Sequence, residues 1–197
     1  MRFFKKNSYD IVRLFIDQGG IAIMAFMLYT AVGMIDDNSL TLEIRLLISV
    51  FSILFYSVIL YSTAWDIGAK DRLHVNAGRE EAHQNKGLLL AVFANVPNFL
   101  ITLVGVILVG VYLLGGASGF YTAFGFLNLV FRFFLGMYLG LIQAIFSFFD
   151  ANSPLSYLWQ TVGFFFAPVF ALFATGFGYR MGLGGKKIFS SKKNGSS

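Results

Sequence analysis

The stretch from Gly87 to Gly178 contains only two charged residues, Arg132 and Asp150. A water-soluble protein must cover its surface with polar groups, and it cannot leave more than 90 consecutive residues almost without charge. A lipid bilayer removes that requirement. Over all 197 residues, 57% are hydrophobic and 13% are charged, against about 45–50% and about 25% in soluble domains. The sequence therefore predicts an integral membrane protein.

Five hydrophobic stretches are separated by polar or glycine-rich breaks. Each is long enough to cross a bilayer as a helix, which needs about 20 apolar residues and satisfies its own backbone hydrogen bonds in lipid. We therefore predict an all-α, polytopic transmembrane helix bundle with about five hydrophobic helices and four to six crossings. The predicted spans cover about residues 11–35, 43–65, 88–114, 120–148 and 155–179. They form a single domain over residues 1–182, with a polar loop at 66–87 and a basic, disordered tail at 183–197.

The first stretch is interrupted near its start by Asp10, Arg13 and Asp17, which share one face at helical spacing. Its first turns therefore fit an amphipathic segment that lies in the membrane interface. The apolar part from residue 19 to residue 35 is then just long enough to cross.

Lysine and arginine residues predict the orientation, because they concentrate in cytoplasmic segments. The N-terminal stretch and the 66–87 loop carry four each, so both are expected in the cytoplasm. With Arg132 set aside, five crossings leave eight basic residues inside and six outside, whereas an even number leaves thirteen inside and one outside. The first or the fourth stretch is therefore a candidate for a re-entrant or interfacial segment, and the side of the C-terminal tail stays open.

Four residues form a candidate intramembrane polar site: Arg132, Asn128, Asn95 and Asn98. A central arginine costs about 2.5–3.5 kcal/mol on insertion scales, so it is expected to face the bundle, a wet cavity or another chain. The asparagines flank Pro97, which frees a backbone carbonyl. An anion, headgroup or substrate contact is the functional interpretation. The alternatives are a structural or snorkelling arginine and a kink whose asparagines bond within their own helix.

Two further sets of residues are candidates for contacts: three basic residues of the polar loop and one pair of glycines. Lys70, Arg72 and Arg79 are candidate contacts for a partner protein or for anionic headgroups. Gly136 and Gly140 have the small-xxx-small spacing of close helix contacts, for which packing within the chain is favoured over dimerisation.

Several function classes lack their sequence signals. The chain has no cysteine, no Walker, HExxH or GxSxG motif, and no soluble basic face for nucleic acid. His74 and His83 stand nine residues apart, which matches no established metal-ligand spacing. We therefore predict no catalytic residue, cofactor or metal, although the absence of motifs leaves enzyme activity open.

Two short patches resemble small polytopic membrane proteins of Gram-positive bacteria that have no assigned function. These patches are Trp65-Asp66-Ile67-Gly68 with Lys70-Asp71, and Gly178-Tyr179-Arg180-Met181-Gly182. The resemblance implies a multi-pass protein of a bacterial plasma membrane.

Three functions remain as hypotheses. The first is a non-enzymatic accessory or scaffold subunit of a membrane complex, or of a homo-oligomer, which docks partners through the 66–86 loop. The second is a small transporter or channel subunit with a polar path around Arg132. The third is a lipid-active membrane enzyme that uses Asp66, Asp71, His74 and His83.

Overall fold

The computed structural model of the chain describes residues 2–32, 41–79, 81–115, 120–147 and 154–186. These residues form helices and turns, without a strand among them. The helices are α1 (Arg2–Val32), α2 (Thr41–Asn76), α3 (Lys86–Leu113), α4 (Phe120–Leu135), α5 (Leu139–Ile145), α6 (Pro154–Phe166) and α7 (Val169–Leu183), with a 3-10 turn at Gly136–Tyr138 between α4 and α5. Five helical stretches are long and apolar enough to cross a membrane. The predicted all-α membrane fold is confirmed.

Helices α1 and α2 run antiparallel. In the middle of α1, Asp17 accepts a hydrogen bond from the Thr63 hydroxyl late in α2, at 3.2 Å. Near the end of α1, the Tyr29 hydroxyl donates to the carbonyl of Arg45 early in α2, at 3.0 Å. The beginning of α1 and the end of α2 therefore lie at the same end of the bundle.

Helix α3 runs antiparallel to α6 and α7, which together form one crossing. The rings of Phe99 and Phe165 lie 5.3 Å apart in the middle, and Gly87 at the start of α3 packs against the Cβ of Tyr179. The crossing is divided at Pro168, where the helix is interrupted for two residues. The end of α3 and the beginning of α6 therefore lie together, at the opposite end from the beginning of α1.

The fourth hydrophobic stretch, α4 to α5, enters the bundle and returns. Since α3 ends and α6 begins at the same end, the chain between them must start and finish there. Midway, the ring of Phe134 stacks on Phe15, with 6.2 Å between centroids, and its carbonyl accepts a hydrogen bond from Gln18 at 3.5 Å. The chain then turns back, and the Gly140 amide donates to the Tyr29 hydroxyl at 3.0 Å. In the described part of the chain, this segment therefore has the geometry of a re-entrant hairpin, and the other four helical stretches connect the two ends of the bundle.

The start of α1 is kinked and packs against the rest of the bundle. The helix departs from helical geometry at Asn7 (φ −114°, ψ 16°), whose side-chain amide donates to the carbonyl of Phe3. Beyond this kink, Ile11 and Leu14 are buried in the core. Neighbouring helices therefore cover part of the apolar surface of residues 10–17, and the position of these residues in the membrane interface stays a prediction.

The polar loop is shorter than the sequence indicates. Helix α2 continues from Trp65 to Asn76, so only residues 77–85 connect it to α3. The extension stays helical because it packs on α7, where Gly68 approaches the main chain of Tyr179. Helix α7 also runs beyond the predicted residue 179, to Leu183. Of the predicted tail at 183–197, residues 187–197 lie outside the described residues.

Candidate functional site

The most polar part of the described structure is one end of the bundle, here called the basic end. It is formed by residues 66–86, by the last residues of α7 from Gly178 onward, and by the chain that follows α7 as far as Lys186. Helices α2 and α7 run parallel here at very short separation. A Cβ added to Gly178 would lie 2.5 Å from the Tyr61 carbonyl oxygen, and one added to Gly182 would meet the main chain of Trp65. Glycines at i and i+4 permit this approach. Gly178 and Gly182 were not predicted to pack in this way, although their spacing in the sequence was a visible signal.

An ion pair and a phenol hydroxyl join three helices at the basic end. The Lys86 ammonium, at the start of α3, lies 2.7 Å from the Asp71 carboxylate on α2, and the two side chains are only 12% and 15% exposed. The Tyr179 hydroxyl on α7 donates to the same carboxylate oxygen at 2.7 Å. Charge-assisted hydrogen bonds are the strong ones, so this cluster fixes the ends of α2, α3 and α7 relative to one another.

Two further contacts order the surface around this cluster. The Arg180 guanidinium donates to the side-chain oxygen of Asn85 at 2.8 Å, which joins α7 to the connection before α3. The indole N–H of Trp65 donates to the main-chain oxygen of Lys186 at 2.6 Å, which holds the chain after α7 against α2. The connection and the end of α7 therefore have defined positions.

The three basic candidates of the predicted loop all lie at this end, but in different places. Lys70 is exposed on the outer face of α2, and Arg79 is exposed just after the turn at Gly78, which has φ +68°. Arg72 is also exposed, but it lines a groove between α2 and the chain after α7. The structure therefore does not bring the three side chains together into one site.

The residues proposed for an enzyme are also dispersed. Asp71 is engaged by Lys86 and Tyr179, whereas Asp66, His74 and His83 are exposed. Among the described residues, no three potential metal ligands are grouped closely enough to hold an ion. This arrangement gives the lipid-active enzyme little support.

The candidate intramembrane polar site is partly described. Asn95 and Asn98 are buried in α3, where Asn95 donates to the Ala91 carbonyl at 2.9 Å and Asn98 donates to the Asn95 side-chain oxygen at 2.9 Å. Asn128 is half-buried on α4, and the side chain of Arg132 lies outside the described part of the structure. The α3 asparagines thus bond within their own helix, as the alternative interpretation expected.

Hydroxyl groups from α1 and α2 stabilise the returning arm of the hairpin, at positions that no sequence pattern indicated. The break between α4 and α5 leaves backbone N–H groups without partners in their own helix. The Tyr29 hydroxyl accepts from the Gly140 amide at 3.0 Å, and the Ser49 hydroxyl accepts from the Leu141 amide at 3.1 Å. The two hydroxyls also bond to each other. Because unpaired backbone groups are costly in lipid, these contacts allow the hairpin to exist.

A second polar group surrounds the hairpin near the middle of the bundle. The Tyr56 hydroxyl donates to the Gln18 side-chain oxygen at 3.5 Å, and both residues are buried. The Ser52 hydroxyl nearby in α2 is buried and forms no hydrogen bond with any residue that the structure describes. Polar groups therefore occur deep in the structure, at positions other than the predicted ones.

Comparison of the chain with protein-family models, with curated proteins and with solved structures gave no match. Functional conclusions therefore depend on the geometry described above.

Proposed function

We propose that this protein is a non-enzymatic scaffold subunit of a membrane complex and that its basic end docks a partner protein. The observation that carries this proposal is the order of that end. The Asp71–Lys86–Tyr179 cluster and the Arg180–Asn85 contact fix its helices, while charged side chains of both signs project from its surface. A fixed pattern of exposed charges favours specific recognition over general adhesion.

The orientation proposed for the protein places the basic end in the cytoplasm of a bacterium, with the bundle in its plasma membrane. Two features support this orientation. Both described chain ends and the 66–86 segment lie at the basic end, so most lysine and arginine residues are on one side, as the distribution of basic residues in membrane proteins favours. The second feature is the charge at the opposite end, where the first turns of α2 contain one acidic residue, Glu43, and one basic residue, Arg45.

Purification in mild detergent tests the docking proposal. A tagged full-length chain is expected to retain a partner in fixed stoichiometry, and Lys70→Glu combined with Arg79→Glu is expected to release it. The matched control is Glu43→Lys, which reverses an exposed charge at the opposite end and is expected to retain the partner. Recovery of the bare chain from every variant, or equal loss with the control, would contradict the proposal.

A transporter or channel subunit is the second candidate, and one observation favours it. A re-entrant hairpin places broken helix ends near the middle of a bundle, as discontinuous helices do in transporters. The buried Ser52 hydroxyl provides a test, because Ser52→Cys would react with a small charged thiol reagent only if water reaches it. The control is Ser57→Cys, whose native hydroxyl bonds to the Ile53 carbonyl at 2.8 Å. Equal protection of both thiols would count against a water-filled path.

A further inference from the structure

A groove of about 640 Å³ lies at the basic end, between α2 and the chain that follows α7. Its lining residues follow one face of α2, from Trp65 through Leu73 to Asn76, and Gly185 lies on the other side. Among the described lining residues, Arg72 is the one that carries a charge. The groove therefore has a positive charge and no negative one in its described wall.

The position of Arg72 is built into the turn that ends α7. Gly185 has φ +68°, a conformation that favours glycine, and its amide donates to the Gly182 carbonyl at 3.0 Å. A Cβ at residue 185 would fall on the Arg72 guanidinium, so this side chain lies directly against the glycine backbone. The absence of a side chain at residue 185 thus makes room for the cation in the groove.

The groove changes from apolar to polar along the direction in which α2 leaves the membrane. Trp65 lies where an interfacial tryptophan is expected, and Ala69 lies between it and Arg72. Arg72 is seven residues beyond Trp65, about 10 Å along the helix axis, and Asn76 is one further turn away. This order of apolar, cationic and amide groups matches the order of acyl chain, phosphate and outer headgroup in a phospholipid.

We propose that this groove binds the headgroup of an anionic phospholipid, with the Arg72 guanidinium contacting its phosphate. Charge complementarity selects this occupant, since an arginine presents paired N–H donors that fit phosphate oxygens. Lys186 is exposed next to the groove and adds a second positive charge. The groove is separate from Arg79 and the 77–85 connection, so lipid binding does not depend on the proposed docking function.

Native mass spectrometry of the full-length chain in mild detergent tests this proposal. Phosphatidylglycerol and phosphatidylcholine with identical acyl chains are titrated separately, and the first bound lipid is quantified. Phosphatidylglycerol is expected to bind more tightly, and Arg72→Gln is expected to weaken it by about fivefold, the effect of one basic residue at an anionic surface. Arg79→Gln, which removes an exposed arginine from the connection, is expected to leave binding unchanged.

A second variant tests whether the position of the Arg72 guanidinium matters, and not only the presence of its charge. Gly185→Ala keeps Arg72 but places a methyl group where its guanidinium lies, so it is expected to weaken phosphatidylglycerol binding as well. Melting temperatures of the variants verify that they fold. Equal binding of the two lipids, or equal loss with Arg72→Gln and Arg79→Gln, would overturn the proposal. A lipid-independent dimer that Arg72→Gln dissociates would also overturn it, because the groove would then hold a second copy.

Discussion

Lys86, the first residue of α3, and Asp71, in the last turns of α2, form an ion pair of 2.7 Å. The Tyr179 hydroxyl, 108 residues away from Asp71 in sequence, donates to the same carboxylate oxygen. One carboxylate therefore holds three helix ends together. Removing it leaves a largely buried ammonium group without its counter-charge, which is costly.

We expect Asp71→Asn to lower the free energy of unfolding by about 2 kcal/mol, the scale of a hydrogen bond to a charged group. Tyr179→Phe is expected to cost less, because it leaves the ion pair in place. The measurement is denaturant unfolding in mild detergent, with the exposed Asp66→Asn as control. If Asp66→Asn and Asp71→Asn behave alike, the cluster does not stabilise the basic end.

The short separation of α2 and α7 predicts a sharp difference between two glycines of α7. Gly178→Ala would place a Cβ 2.5 Å from the Tyr61 carbonyl, whereas Gly176→Ala would find Leu88 at an ordinary 3.7 Å. Overpacking typically costs about 1–3 kcal/mol, so the first variant is expected to lower the melting temperature. The second is expected to preserve or raise it, because alanine favours helix over glycine. Equal melting temperatures would contradict this packing.

The hydroxyl of Tyr29 is expected to be essential for the hairpin. Tyr29→Phe leaves the Gly140 amide without its hydroxyl acceptor, and an unsatisfied buried donor costs about 1–3 kcal/mol. The control is Tyr9→Phe on the same helix, since Tyr9 is 76% exposed. Unfolding in mild detergent is compared for both variants. A loss of stability in the control but not in Tyr29→Phe would show that the hairpin does not need this contact.

The re-entrant hairpin predicts which positions share a side of the membrane. The chain has no cysteine, so single cysteines introduced at Leu114, Ser147, Ala82 and Lys186 can be labelled unambiguously in intact cells. Leu114→Cys and Ser147→Cys, on either side of the hairpin, are expected to react equally with an impermeant maleimide added outside. Ala82→Cys and Lys186→Cys are expected to react only after permeabilisation. Opposite behaviour of Leu114→Cys and Ser147→Cys would mean that the fourth stretch crosses.

Hydrophobicity located the five helical stretches because the need to satisfy backbone hydrogen bonds in lipid acts on every residue of a span. It could not distinguish a crossing from a hairpin, since the residues around Gly136 are as apolar as those of a continuous helix. Only the distribution of lysine and arginine indicated an even number of crossings. That signal reports the side of each segment and does not depend on helix geometry.

The polar residues were harder to interpret from sequence. Lys70, Arg72 and Arg79 were recognised as a basic group, but their separation follows from the unexpected length of α2 and from the turn at Gly185. The pairing of Asp71 with Tyr179 joins distant parts of the chain, and no local pattern encodes it. The hydrogen bonds of Asn95 and Asn98 were easier to predict, because they lie within one helix, where the spacing of residues determines which groups meet.

The hydroxyl contacts of the hairpin also imply an order of biogenesis. Partners for the amides of Gly140 and Leu141 come from α1 and α2, which leave the ribosome first. Until α1 and α2 are paired, the amides at the break after α4 have no hydrogen-bond acceptors in the lipid that could take the place of water. Insertion of the hairpin must therefore follow assembly of the N-terminal pair, and a defect in that pair would leave the hairpin exposed to membrane quality control.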